Sequence, residues 1–390
     1  MIAFKLAIKN LIGAGLRTWL NVFVLSLALV IIVMQSGVIN GWNEQAKRDI
    51  TEWQVGGGEY WHNLYDPYDP LSLNDAHGVL PSEIEQMVND KLATPVLVTQ
   101  GSVYPEGRMR NIQIKGIDPS QDLLKLPSSM MKSEDNIISV IIGTRMASAI
   151  KLKENDEVTI RWRDVNGTFD ATEVRIAGIF HTNVPEIDMN QIWIPIDNLR
   201  QMINMEGEAT YVVLKQNIES VPTVPGWIYK DHTALFYEID TIIKSKRIGG
   251  IVIYVIFLSL ALLAVFDTQV LSIFRREKEI GTYIALGMTR WQVVRLFTIE
   301  GAMHSILSVA AAAIWGTPLF ILLAKKGFTM PAGTESYGLT IAEKLFPIYG
   351  VGMIIIMALI ILLTTTFVSY LPSRKIARMN PTEALRGKVQ

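Results

Sequence analysis

Four apolar runs in this chain, at residues 19–39, 248–273, 293–324 and 346–370, each reach the length a helix needs to cross the hydrocarbon core of a bilayer, which is about 20 residues. A single run of this kind fits inside a large soluble core. Four, each flanked by charge, point to membrane-spanning helices. The third is interrupted by Gly316 and Pro318. Nearly half of the 390 residues are hydrophobic, at 49%. That is too many for an ordinary soluble domain and too few for a pure helix bundle, so spans and a water-soluble part are expected together.

Short basic segments set the orientation. Lys5, Lys9 and Arg17 precede the first run, Arg275, Arg276, Lys278, Arg290 and Arg295 follow the second, and Arg374, Lys375, Arg378, Arg386 and Lys388 follow the fourth. All three belong in the cytoplasm, which leaves residues 40–247 outside it. The first run is long and no small-x-small site follows it, so it reads as an uncleaved anchor rather than a secretory signal.

The segment between the first two runs holds 20 Lys and Arg against 30 Asp and Glu, a net charge of −10. Such a balance keeps a domain soluble or presents an acidic surface to a basic partner. Its pattern is mixed α/β. Residues 95–100 and 110–116 read as paired strands, 140–152 as a strand entering a short helix, and 158–163 and 173–180 as a hairpin turning at Asn166-Gly167. Residues 191–204 read as a strand followed by a helix, and 209–214 as a further strand. Residues 40–54 and 234–247 read as helical stalks continuing the spans, standing roughly 20 Å out from the bilayer.

The chemistry-bearing motifs are missing. There is no phosphate-cradling G-x-x-x-x-G-K-[ST] loop, no H-E-x-x-H and no G-x-S-x-G. The chain has no cysteine, hence no disulfide framework or thiolate metal site. Gly56-Gly57-Gly58 reads as a flexible joint. His62, His77, His181, His232 and His304 are scattered without ligand spacing. Asp267 and His304 lie within spans, where ionisable groups are functional suspects; Asp267 is close enough in sequence to pair with Arg275 or Arg276.

The segment between the second and third runs concentrates charge at residues 275–279 and then presents Ile280, Ile284, Leu286 and Met288 as an apolar face. It suits an amphipathic helix lying on the membrane or docking into a cytoplasmic partner. The run R-E-K-E-I-G-x-x-x-A-L-G-x-x-R from Arg276 to Arg290 resembles the coupling segment of FtsX/MacB-type ABC transporter permeases (type VII ABC transporters). The ending P-T-E-A-L-R at residues 381–386 and the opening I-x-x-K-L-A-x-K-N-L resemble the same family. So does the order of one span, a large outer domain and three further spans. Val38-Ile39-Asn40-Gly41-Trp42 and the Gly-Ile-Asp-Pro at residues 116–119 resemble segments of its lipoprotein-releasing members.

The resemblance implies a membrane protein with four transmembrane α-helices and a mixed α/β extracytoplasmic domain between the first two. The expected layout is a cytoplasmic amphipathic helix at 1–18, spans at 19–39, 248–273, 293–324 and 346–370, and a periplasmic MacB-like domain with stalks at 40–247. A cytoplasmic coupling helix at 274–292, a short periplasmic loop at 325–345 and a cytoplasmic tail at 371–390 complete it. Within the domain, residues near 120–190 would form an inserted subdomain. A multi-pass protein of the bacterial inner membrane is implied, with no cofactor of its own, because ATP and Mg bind a separate ATPase. Its partners would be a cytoplasmic ABC ATPase dimer, a second permease chain, a lipoprotein or peptide cargo and a periplasmic carrier.

The implied activity is mechanotransmission: ATP-driven closure moves the spans and stalks and works on cargo outside the membrane. Lipoprotein release comes first; efflux of a peptide or antibiotic, or regulation of a cell-wall hydrolase without transport, are the alternatives. Coupling to the ATPase falls to Arg276, Glu277, Lys278, Glu279, Ile280, Gly281, Leu286 and Gly287. The cargo groove falls to Gln35, Ser36, Asn40 and Trp42, polar or amphipathic residues at the outer end of the first span.

Overall fold

A computed structural model describes residues 16–132, 137–218, 220–329 and 344–378. Most of the expected first helix, most of the loop at 325–345 and the P-T-E-A-L-R ending lie outside the described residues. The chain divides into two compact units, a helical one, which includes residues up to Trp42 and most of the chain after Thr241, and a globular one built on Asn43–Thr241.

Among the described residues, four helices are long and apolar enough to cross a membrane: α1 (Leu16–Ile50), and three described with the rest of the helical unit below. The first continues its apolar run into a polar stretch without a break, because neither Pro nor a Gly pair intervenes. It ends in one π-turn at Thr51–Val55, closed by Gly56 at φ 55°.

The globular unit contributes β1 (Glu59–His62), β2 (Gly78–Val79), α2 (Ser82–Asn89), β3 (Ala93–Val103), β4 (Arg110–Ile117), β5 (Ile138–Gly143), α3 (Thr144–Ile150), β6 (Glu157–Arg163) and β7 (Phe169–Phe180). The one-turn α4 (Pro185–Asp188), β8 (Gln191–Pro195), α5 (Ile196–Ile203), β9 (Glu208–Ala209), β10 (Tyr211–Leu214), β11 (Trp227–Lys230) and the one-turn α6 (His232–Leu235) follow. Nine of these strands form one sheet in the order β11-β1-β10-β3-β4-β8-β5-β7-β6, and β6 also pairs with the far end of β3. That extra pairing, Gly101 to Val103 against Ile160 to Trp162, closes six strands on themselves and removes their edges. Inside lie Leu97, Ile114, Val140, Ile142, Ile160, Ile176 and Ile192 with α5's Leu199. The alternate residues Val96, Val98, Ile141 and Trp193 pack on the other face. β5 and β8 are buried on both faces and read as continuous apolar runs, whereas β6 and β7 alternate buried and more exposed residues.

Three expectations change here. Residues 120–190 are not a separate subdomain: β5, β6 and β7 complete a closed sheet begun by β3 and β4. The hairpin exists, but β7 begins at Phe169 and the turn is a five-residue loop from Asp164 to Thr168, in which Gly167 alone takes positive φ, at 83°. The triglycine is no flexible joint. Gly57 N–H donates to the Leu214 carbonyl at 2.7 Å, and a side chain there would meet the Lys215 carbonyl at 2.1 Å, so glycine serves close backbone approach.

In the helical unit, α7 (Tyr237–Arg275), α8 (Glu277–Ala285), α9 (Arg290–Lys326) and α10 (Val351–Ser373) join α1. Leu25, Leu29 and Val33 of α1 pack with Ala261 and Val265 of α7, Ala312 of α9 and Ile361 of α10. Small residues set the closest approaches, as in other membrane bundles: a Cβ on Gly316 would lie 2.8 Å from Val30. Pro318 sits inside α9 without ending it, which corrects the expected interruption; in a bundle, neighbouring helices tolerate the missing hydrogen bond. The helix of the fourth apolar run starts at Val351, five residues after the run itself begins. Residues 346–350 run extended along α1, where Ile348 N–H donates to the Gly37 carbonyl at 2.9 Å and Gly41 admits the Phe346 carbonyl.

Candidate functional site

The segment between α7 and α9 is held from both ends. The capping residue Thr289 accepts from Gln292 N–H at 3.3 Å, while Gln292 Oε1 accepts from Thr289 N–H at 2.8 Å, a reciprocal box that starts α9. Gly287 has φ 96°, a conformation L side chains rarely adopt. α8 buries Ile280 and Gly281 and lays Tyr283 and Ile284, joined by Met288 beyond its end, against Ile273, Val293, Val294, Phe297 and Ile376. The opposite face, with Lys278, Glu279, Thr282 and Ala285, is exposed. Leu286, read with Ile280, Ile284 and Met288 as one apolar face, stands apart from them at 79% exposure.

Arg276 joins α8 to α9. Its Nη1 donates to both carboxylate oxygens of Glu300 at 2.9 and 3.0 Å, its Nε donates to Glu279 at 2.7 Å, and its guanidinium lies 4.7 Å from the centre of the Phe297 ring. Burial opposes the charge, but Glu300 and Glu279 outweigh it and hold Arg276 above the ordinary arginine pKa. Asp267, suggested as a partner for Arg276, is exposed on α7, and Arg276 turns to Glu300 instead. Glu300 was missed in the sequence, although a carboxylate within an apolar helix signals a buried partner. Glu277, next to Arg276, begins α8 and favours its positive end.

The proposed groove residues engage helices of the same chain. Ser36 Oγ and Tyr254 Oη of α7 are 2.7 Å apart. Asn40 Oδ1 accepts from Arg247 at 3.4 Å, and its Nδ2 faces Met353 Sδ of α10 at 3.5 Å. Gln35 lies beside Gly250 of α7. Trp42 is buried at 9% exposure rather than displayed. The α7 face beyond this contact is apolar and open: Ile248, Val252, Val255, Leu260 and Leu263 are each more than half exposed.

From Asn43 onward α1 is part of the globular unit. Lys47 Nζ lies 2.6 Å from Asp240 of α7, Asp49 accepts from Asn183 at 3.0 Å, Lys125 pairs with Glu52 at 2.6 Å, and Trp53 stacks on Phe180. Within that unit Glu59 and Lys115 are both buried. Burial pushes Glu59 up to about 7, against donation from Trp61 and the pull of Lys115. Burial pulls Lys115 down to about 8, opposed by Glu59. Asp188, fully buried, accepts from Arg145 N–H at 2.9 Å and from its Nη1 at 2.7 Å; burial still raises its pKa. His77 pairs with Glu208, and His232 Nε2 lies 2.9 Å from the Gly56 carbonyl. Among the described residues, no group of three or more His, Asp or Glu is placed to hold a metal.

Residues 251–381 match the model of the FtsX-like permease C-terminal domain, a family of transmembrane components of ABC transporters. The lipoprotein-releasing system transmembrane protein LolC of Neisseria meningitidis is 23% identical over 332 residues, covering 75% of this chain and 77% of that one. An uncharacterised ABC transporter permease of Methanocaldococcus jannaschii is 25% identical over 233 residues, 55% of each chain. The extracellular domain of the noncanonic ABC-type transporter YknZ from Gram-positive bacteria aligns with 42% of this chain and 84% of its own, at 14% identity and a TM-score of 0.28. These matches support an FtsX/MacB-type ABC transporter permease, and such a permease works with an ATPase.

Proposed function

We propose that this chain is the multi-pass inner-membrane permease of a mechanotransmitting ABC transporter that releases lipoproteins from the membrane. A separate cytoplasmic ATPase dimer binds ATP and Mg, and a second permease chain, identical or homologous, completes the complex. The observation that carries the reading is α8: its inner face is bolted to α9 through Arg276 and Glu300, while Glu279 and Leu286 remain exposed. A push on that outer face passes into α9 without first compressing a loop. The same logic applies to α1 and α7, which extend as single helices well beyond an 18-residue apolar window; in this reading they carry motion to a periplasmic domain.

The LolC relatives support the lipoprotein cargo. Extracting acyl chains costs about 0.8 kcal/mol per CH₂, which one binding site does not return and ATP-driven closure supplies. The groove opens where α1 meets α7, at Gln35, Ser36, Asn40 and Trp42, when the Ser36–Tyr254 contact parts; a periplasmic carrier receives the cargo. The test is photo-crosslinking from Val38 and Trp42 in native membranes. Acylated proteins captured without ATP and lost on its addition are expected. Capture of soluble peptides alone overturns release in favour of efflux.

A further inference from the structure

The membrane unit contains a polar site that neither coupling nor cargo handling uses. A Cβ added to Gly301 of α9 would lie 2.2 Å from Ser369 Oγ of α10 and 3.0 Å from Gln269 Nε2 of α7, so three helices meet at this glycine. His304, one turn along α9, points Nδ1 at the Gly301 carbonyl, 3.2 Å away. Thr365 lies one turn from Ser369 on the same face of α10. Gln269 and His304 are 3 and 4% exposed, and Thr365 and Ser369 are fully buried. Gln269 Oε1, His304 Nε2, Thr365 Oγ1 and Ser369 Oγ have no hydrogen-bond partner among the described residues. The neighbouring hydroxyls are different: Ser305, Ser308 and Ser373 each donate to a carbonyl of their own helix.

We propose that this cluster is an internal hydration site that holds ordered water between α7, α9 and α10. The donor and acceptor count selects the ligand. A neutral imidazole whose Nδ1 donates to a carbonyl leaves Nε2 as an acceptor, and Gln269 Oε1 is an acceptor as well. Both need a donor, and the two hydroxyls serve either role. Water supplies two donors and two acceptors, and it occupies interior sites that offer two to four polar partners. All four atoms belong to neutral groups, so no ion is needed to balance them.

The site lies roughly 9 Å along α7 from its end at Arg275, at 1.5 Å per residue. Glu300, the residue before Gly301, reaches to Arg276. Water at this depth lets the three helices trade hydrogen bonds as they shift, without turning polar groups toward lipid. The inference does not depend on the cargo or on the groove.

Radiolytic oxygen labelling of the wild-type full chain in native membranes tests it, with ¹⁸O-water as the probe, because water bound inside a protein is activated in place and labels adjacent side chains. After correction for intrinsic reactivity, His304 is expected to label roughly tenfold faster than Leu25 of the apolar core, a ratio equivalent to about 1.4 kcal/mol of preferential hydration. Ser369→Ala with Gln269→Leu should bring His304 down to the Leu25 rate. Equal labelling of His304 and Leu25 in the wild type overturns the proposal whether or not the double variant folds. Labelling that vanishes as sodium is raised also overturns it and assigns the site to a cation.

Discussion

Arg276 and Glu300 form a bidentate ion pair, at 2.9 and 3.0 Å, between the residue that begins the α7–α8 junction and the third turn of α9. Their side chains are 17 and 8% exposed, so both charges are largely withdrawn from water. Breaking a buried pair of this kind by removing one partner costs about 3–5 kcal/mol. Arg276→Gln is expected to abolish cargo-stimulated ATP hydrolysis in the reconstituted complex while leaving the partner's basal hydrolysis intact. The exchange Arg276→Glu with Glu300→Arg should recover part of it. Full coupling in Arg276→Gln would mean that α8 does not transmit through this pair.

Leu286 gives the complementary prediction for the outer face. At 79% exposure its side chain adds little to the packing of the described residues, so Leu286→Asp should leave the thermal unfolding of the detergent-solubilised chain unchanged. A buried hot-spot side chain at an interface is worth about 2 kcal/mol or more, and the variant should lose ATPase in co-purification by a corresponding factor. Glu279→Lys should act in the same direction through charge. Gly287→Leu should act through strain at φ 96°. Undiminished ATPase recovery with Leu286→Asp would place the docking surface elsewhere.

In the globular unit, Asp188 is wedged between Gly143 and Arg145. A Cβ on Gly143 would lie 1.7 Å from Asp188 Oδ1, so Gly143→Ala must displace the carboxylate from its donors. Both Gly143→Ala and Asp188→Ala are expected to destabilise this unit, the latter by roughly 3–5 kcal/mol because Arg145 is left buried. Hydrogen exchange across β5 and α3 should accelerate in each. Wild-type protection there would contradict the role of the pair.

Glu59 and Lys115 make the stability of the same unit depend on pH. The folded state raises Glu59 from 4.5 to about 7, so it prefers the protonated acid. The associated stability is present below the ordinary carboxylate pKa and is lost as pH rises through 7. Lys115 is lowered from 10.5 to about 8, so its contribution is present above the ordinary lysine pKa and is lost as pH falls through 8. Between pH 7 and 8 both are charged at a cost, offset in part by their attraction. Acidifying from 7.5 to 5 should therefore stabilise the unit, by up to about 3 kcal/mol. Glu59→Gln should flatten that branch in melting temperature against pH, and Lys115→Met should flatten the alkaline one. A wild-type curve without either branch would rule out the buried charges as its source.

Much of this architecture is local information. Apolar runs of span length, the Asn166-Gly167 turn signal, and the R-E-K-E-I-G segment with its glycine stop all depend on residues near one another in the chain, and each left a mark that periodicity, turn chemistry or resemblance could read. The Thr289–Gln292 box is equally local, as Thr-x-x-Gln before an apolar run. What neighbours in sequence cannot specify is who meets whom across helices and strands. Leu286 looks like part of α8's apolar face until the helix ends one residue earlier and turns it outward. Pro318 and Gly56-Gly57-Gly58 look like breaks until packing partners accommodate the first and crowd the second. The contact of β3 with β6, of Arg276 with Glu300 and of Gly301 with Ser369 and Gln269 arises only when residues far apart in sequence are brought together. Side-chain burial, and with it the cost of each charge and each unpaired polar atom, is a property of that assembled interior and of no single segment.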